Sequence, residues 1–239
     1  MKKLIFTAFT ICSCIIAIAQ TNNEWKKASL DRAGDHLMIQ ITNDNWAGVP
    51  DSISSNIKRV SRGLGFSFMI DKPFKTDPHW SVAFGLGFNG SNIFFEKMSV
   101  DLNATGNTLP FKNLDSSDRF KKYKLVTVFA EVPLELRYTL NPAKEGKSWK
   151  FAIGAKVGTM INAHTKGKTL QNKNGTTIDA YTLKESKRTF LNGTRIMGTA
   201  RVGIGSFSLV ANYQLTSLVK DEAGPTVRPY QIGICISGL

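Results

Sequence analysis

Trp80-Ser81-Val82-Ala83-Phe84-Gly85-Leu86-Gly87-Phe88-Asn89 alternates a large apolar residue with a small or polar one at every step. Period two is the pattern of a β-strand, whose successive side chains leave opposite faces. The same alternation recurs on either side. Before it, Leu37, Ile39 and Ile41 oppose Met38, Gln40 and Thr42, and Leu64, Phe66, Phe68 and Ile70 oppose Gly63, Gly65, Ser67 and Asp71. After it, Val126, Val128, Val132, Leu134, Leu136 and Tyr138 oppose Glu131, Glu135 and Arg137, and Trp149, Phe151, Ile153, Val157 and Ile161 oppose Lys150, Gly154, Lys156 and Gly158. A weaker segment sets Ile196, Val202 and Ile204 against Arg195, Met197, Thr199 and Arg201. Phe207, Leu209, Ala211, Tyr213 and Leu215 face away from Ser208, Asn212 and Gln214, and Tyr230, Ile232, Ile234 and Ile236 away from Gln231, Gly233, Cys235 and Ser237. Eight such segments predict an all-β chain.

Alternation alone fits two folds. A soluble barrel turns its bulky apolar set inward, whereas a membrane barrel turns it out to lipid and encloses the polar set. Connection lengths favour the membrane form. Long polar stretches at 45–59, 97–121, 165–188 and 219–227 alternate with short ones at 74–77, 141–146 and 205–206, as external loops alternate with periplasmic turns. Aromatics mark the strand ends in two bands. Phe74, Trp80, Tyr138, Trp149 and Phe207 lie near the short turns, and Trp46, Phe94, Phe95, Tyr123, Phe190 and Tyr230 near the long loops, as rings at two membrane interfaces would. The sequence therefore predicts an eight-stranded antiparallel up-and-down transmembrane β-barrel over residues 35–239. Pro133 interrupts its strand, and since a barrel has no edge to place it on, a bulge is expected there.

Residues 1–19 carry Lys2 and Lys3, an apolar run over 4–18, and Ala17 and Ala19 flanking Ile18. This is the layout of a secretory signal, with cleavage expected between Ala19 and Gln20. The run is short for a retained membrane anchor, and Cys14, preceded by Ser13 and Cys12, lacks the setting of a lipoprotein signal. Residues 20–34 read as a periplasmic lead-in with a helical turn near 28–33. No later segment is apolar enough for a transmembrane helix, and a membrane protein without helices must be a closed barrel, because only closure satisfies every backbone polar group in hydrocarbon.

Removing Lys2 and Lys3 from 31 basic residues leaves 29 against 18 acidic ones, a net charge of +11. That surplus favours anionic neighbours such as lipopolysaccharide phosphates. Lys166, Lys168, Lys173, Lys184, Lys187 and Arg188 in the 165–188 loop are candidates to grip phosphate, or form a solvated loop. Nucleic acid is disfavoured, since no recognition pattern accompanies the charge. Cys12 and Cys14 leave with the signal, so Cys235 stands alone, with no disulfide and no cysteine metal site.

The conspicuous constellation is the polar set Glu131, Glu135, Arg137, Lys150, Lys156 and Arg201. Enclosed charges must be paired. A hairpin around 141–147 brings Glu131 and Glu135 within cross-strand reach of Lys156 or Lys150. An eight-stranded barrel has an interior just wide enough to be filled by side chains, so a plug of ion pairs is favoured over a small-solute pore. No catalytic, cofactor or metal site is expected. Gly85-Leu86-Gly87-Phe88-Asn89-Gly90 matches a dinucleotide fingerprint but continues a strand, and His36, His79 and His164 lack metal-ligand spacing. His79 with a nearby serine leaves a lipid-modifying barrel enzyme as one alternative, and a soluble lipocalin-like carrier is another.

Segments 61–73, 81–95, 130–140 and 229–239, above all Glu131-Val132-Pro133-Leu134-Glu135-Leu136-Arg137-Tyr138, resemble the outer membrane protein beta-barrel domain family and its PorT-like members from Gram-negative bacteria. The resemblance implies an eight-stranded barrel in the cell outer membrane without enzymatic activity, and PorT-like members imply a link to protein secretion. Many such barrels end in an outward aromatic, whereas Leu239 falls on the inward parity. The expectation is a monomeric, non-catalytic barrel with a filled lumen. It serves as a structural or interaction protein through its external loops, supporting secretion or envelope integrity, and meets membrane lipid, lipopolysaccharide and other envelope or secretion proteins.

Overall fold

A computed structural model of the chain describes residues 37–238. The signal segment with its cleavage site at Ala19 and Gln20, the 20–34 lead-in, His36 and Leu239 lie outside the described residues. Among the described residues the strands are β1 (Leu37–Ala47), β2 (Arg62–Pro73), β3 (Trp80–Phe95), β4 (Met98–Val100), β5 (Phe111–Asn113), β6 (Arg119–Thr139), β7 (Trp149–Gln171), β8 (Thr177–Ser186), β9 (Thr194–Ile204), β10 (Phe207–Gln214) and β11 (Arg228–Ser237).

Eight of them close into a ring in chain order, β1-β2-β3-β6-β7-β9-β10-β11, every neighbour antiparallel. Closure is made by β1 on β11, from Met38 opposite Ser237 to Ala47 opposite Arg228. Each predicted segment became one of these strands. The parity is that of a membrane barrel. Leu134 and Ile234 are exposed on the outside at 54% and 47%, whereas Glu135 and Lys156 are buried within at 1% and 3%. Leu64, Phe66, Leu86, Phe88, Ile153, Leu209 and Ile232 extend the exposed apolar band around the wall. Each such side chain forgoes about 1.5–3 kcal/mol if left in water, so hydrocarbon is the solvent this wall suits. Among the described residues no helix is long and apolar enough to cross a membrane.

The short connections are tight. Gly205, at φ +59°, turns β9 into β10 through Gly205 and Ser206 alone, a backbone conformation that costs glycine little. Phe74, Trp80, Trp149 and Phe207 are exposed at this end, with Tyr138 half-buried against Trp80, and form the expected aromatic belt.

Three expectations need correcting. The 165–188 stretch is largely strand: β7 runs to Gln171 and β8 returns beside it, from Thr177 opposite Gln171 to Ser186 opposite His164. Its polar lysine-rich sequence hides the strand because it carries no outward apolar stripe of the kind hydrocarbon demands. Second, Pro133 sits opposite Lys156 in unbroken β6–β7 register, and the bulge falls instead between Val128 and Phe129, where β7 holds the extra residue Ile161. Pairing with β3 lapses opposite Val132 and Pro133 and resumes in the same register, so the missing N–H is absorbed by a pause in the ladder. Arg188 secures the actual bulge, donating to the carbonyls of Met160 (2.8 Å) and Ile161 (3.3 Å).

The third concerns the second aromatic band. Phe94 and Tyr230 are half-buried on the wall, but Trp46, Phe95, Tyr123 and Phe190 are buried. They belong to an apolar cluster that closes the long-loop end of the barrel.

Candidate functional site in the lumen and at its outer end

Alternation sends Glu131, Glu135 and Arg137 of β6, Lys156 of β7 and Arg195 and Arg201 of β9 into the lumen. Glu131 and Arg195 occupy outer strands of a triplet, each in register with Gly158 on β7 between them. Gly158 leaves room for the contact; a Cβ there would stand 3.2 Å from Glu131 Cγ and 3.4 Å from Arg195 Cγ. Across it Arg195 donates from Nε (3.0 Å) and Nη2 to Glu131 Oε1. Arg195 Nη2 also donates to Asn89 Oδ1 at 3.0 Å, and the guanidinium lies over the Phe129 ring at 3.9 Å.

Nearer the short-turn end, Glu135 Oε2 accepts from Arg137 Nε at 2.9 Å and Arg201 Nη2 at 3.2 Å. Asp71 lies 3.9 Å from Arg137. Lys150 is half-buried beside Asp71, Arg137 and Arg201 at that mouth. Lys156 sits mid-lumen and donates to Gln40 Oε1 at 3.2 Å. The nearest partners of Glu131 and Glu135 are arginines, whose forked donors match a carboxylate better than an ammonium, and Lys156 lies close enough to interact with both carboxylates electrostatically.

Amides complete the network. Gln231 Nε2 donates to Asp44 Oδ2 (2.9 Å) and Asn89 Oδ1 (3.2 Å), and its Oε1 accepts from Asn212 (3.2 Å). Thr42 donates to Asp44. Asp44, Gln40, Asn89, Asn212, Gln231 and Arg195 went unflagged in the sequence as charged-site members, although their inward parity was legible. Asp44, Asp71, Glu131 and Glu135 nearly balance Arg137, Lys156, Arg195, Arg201 and Lys150, so the basic surplus of the chain lies outside the lumen.

Above Arg195 the filling changes character. Trp46, Ile93, Phe95, Tyr123, Leu125, Phe129 and Met160 from the strands pack with Ile53, Met98, Val100, Leu102, Leu109, Phe190, Leu191, Leu218 and Val219 from the loops. Tyr123 Oη donates to the Val100 carbonyl (2.7 Å) and accepts from its N–H (3.1 Å), fastening the β4–β5 hairpin to the wall. Leu109 N–H donates to the Ala223 carbonyl, joining two long loops at 2.6 Å. Openings lined by Asp71, Arg137 and Arg201 at one end and by Trp46, Arg195 and Gln214 at the other each hold about 10 Å³, the room of a single water.

His79 is at the short-turn end, its Nδ1 against the Thr139 carbonyl (2.9 Å) and its ring stacked on Tyr138. His164 pairs with Asn162 near the bulge. Gly85, Gly87 and Gly90 all lie within β3.

A strand ring with lipid-suited walls and a polar interior defines an outer-membrane β-barrel protein. The chain belongs to the outer membrane protein beta-barrel domain family, whose model matches residues 36–218, and it resides in the outer membrane. None of the curated proteins matches it in sequence. Among solved structures, it is similar to Ail, the attachment invasion locus protein of Yersinia pestis, in complex with the heparin analogue sucrose octasulfate. The identity is 13% over 84% of this chain and 95% of that one, with a TM-score of 0.34. A second crystal structure of Ail is 14% identical over the same shares, with a TM-score of 0.31.

Proposed function

We propose that this protein is a non-conducting, non-catalytic barrel that acts as a structural or interaction protein through its outer face. The observation that carries the reading is the double filling of the lumen: an ion-paired network through the membrane and an apolar cap above it. The openings at the two ends of the network hold about 10 Å³ each, room for about one water, which supports a lumen filled by side chains. In this reading the protein serves envelope integrity or secretion by contact, not as a conduit. The position of His79 at the short-turn end, held by the Thr139 carbonyl, supports the non-catalytic reading, because short turns of such barrels face the periplasm and a lipid-modifying site would work in the outer leaflet.

The test is conductance. Full-length protein reconstituted in planar bilayers is expected to give no steady channel current beside a porin control. Reproducible ohmic steps that vanish with heat-unfolded protein would sink the reading.

A further inference from the structure

On β6, Leu136, Leu134, Val132, Ala130, Val128 and Val126 share the outward face over eleven residues, the length a tilted strand needs to cross hydrocarbon. The next outward residue is Lys124, followed by Lys122. On β7 the outward apolar run ends at Ile161; Asn162 and His164 come next, opposite Val128 and Val126, and then Lys166 and Lys168. The register lines these residues up. Phe94, Lys124, Lys166 and Lys184 stand directly opposite one another across β3, β6, β7 and β8, and Lys122 is opposite Lys168 one step above. Cross-strand like charges repel, and a sheet does not gather them without a reason. Among the described residues no carboxylate lies within ion-pair distance of these five lysines; aspartate partners are found instead at Lys97 (Asp115) and Lys112 (Asp101). Glu185, the nearest acid in sequence, shares its register position with inward-facing Thr165.

Lys124 also has a direction. Its Nζ donates to Asn92 Oδ1 at 2.6 Å and sits 5.5 Å from the centre of the Phe94 ring, so the ammonium is drawn toward the apolar band. Arg62, exposed on β2 opposite Asn92, stands one register step below the lysine row.

We propose that this face, centred on Lys124, Lys166 and Lys184, binds the phosphates of lipid A in the outer leaflet, with acyl chains lying on the apolar wall beneath. The inference deepens the proposed role as an interaction barrel by giving its outer face one lipid ligand. An anionic headgroup at the boundary between apolar wall and lysines answers both the unpaired charge and its height.

The experiment uses the full-length protein in detergent micelles with purified lipid A, the same lipid enzymatically dephosphorylated, and soluble inositol hexakisphosphate as competitor. Wild type is expected to bind lipid A at least about tenfold more tightly than its dephosphorylated form. Combining Lys124→Gln, Lys166→Gln and Lys184→Gln should remove that preference while the barrel keeps its heat-modifiable gel mobility. Lys72→Gln with Lys147→Gln, far from the face, should leave it intact. Equal binding of the two lipid forms by wild type overturns the proposal, even if the triple variant fails to fold. So does an unchanged preference in the folded triple variant, or displacement by micromolar hexakisphosphate, which would mark a soluble polyanion as the occupant. Bilayer conductance is indifferent to these outcomes, so the two proposals fail separately.

Discussion

The lower and upper halves of β6 use the same two faces for opposite chemistry. Below Ala130 the strand shows Val132, Leu134 and Leu136 outward and Glu131, Glu135 and Arg137 inward; above it, Tyr123, Leu125 and Phe129 point inward and Lys122 and Lys124 outward. The backbone does not change face within β6; the solvent around it does. Where lipid surrounds the wall, the lumen is the polar compartment. Toward the outer edge of that wall, where Val128 and Val126 still face outward, and above it, where Lys124 and Lys122 do, the lumen becomes an ordinary apolar core under the loops. Arg195 sits at the seam, bonded to Glu131 on one side and stacked on Phe129 on the other.

The largest break in this arrangement comes from removing one charge of the lower network. Glu135→Ala leaves Arg137 and Arg201 facing each other in a closed lumen, and should cost about 3–5 kcal/mol in reversible unfolding from micelles. A loss below about 1 kcal/mol would mean that water already screens these groups. In the upper half the equivalent damage is a cavity. Leu125→Ala, at 1% exposure, should cost roughly 2–4 kcal/mol in the same assay, and the lower network should keep its mutual protection from hydrogen exchange.

The outward face is distinguished by a pair of exchanges. Leu134→Lys places a charge in hydrocarbon and should cost about 2–4 kcal/mol, whereas Lys122→Leu, at the same parity above the band, should change stability by under about 1 kcal/mol. Similar costs at the two positions would erase the boundary. The smallest effect belongs to the loops. Lys97, 2.8 Å from Asp115, holds that exposed carboxyl below its ordinary range, first by a hydrogen bond and then by charge. A depressed carboxyl pKa stabilises above the unfolded value and is lost as pH falls through the folded one. Protection of the Leu114 amide, bonded to the Lys97 carbonyl, should therefore decline slightly below pH 4 while Leu109 stays protected.

The membrane half of the fold was legible because lipid on one side and a narrow lumen on the other force strict period two, as in β3. The upper half was less so. Its β6 segment, Lys122-Tyr123-Lys124-Leu125, alternates just as regularly with the apolar residues on the other parity, and that inversion was the available signal. β8 carries no such signal, since Ile178, Tyr181 and Leu183 do not share one parity and its register depends on β7. The site was legible as a set of inward charges but not as pairs. Arg195 reaches Glu131 across a glycine on the intervening strand, a contact set by strand order and not by hairpin proximity.

The most direct test places a lipid-quenchable fluorophore at two heights on the outward face in a Cys235→Ser background, using Leu134→Cys and Leu209→Cys within the apolar band and Lys166→Cys above it, in vesicles containing brominated lipid. Strong quenching at positions 134 and 209 and weak quenching at 166 is the predicted result. Aqueous iodide quenching at 134 and 209, with no response to the brominated chains, would contradict a lipid-facing wall.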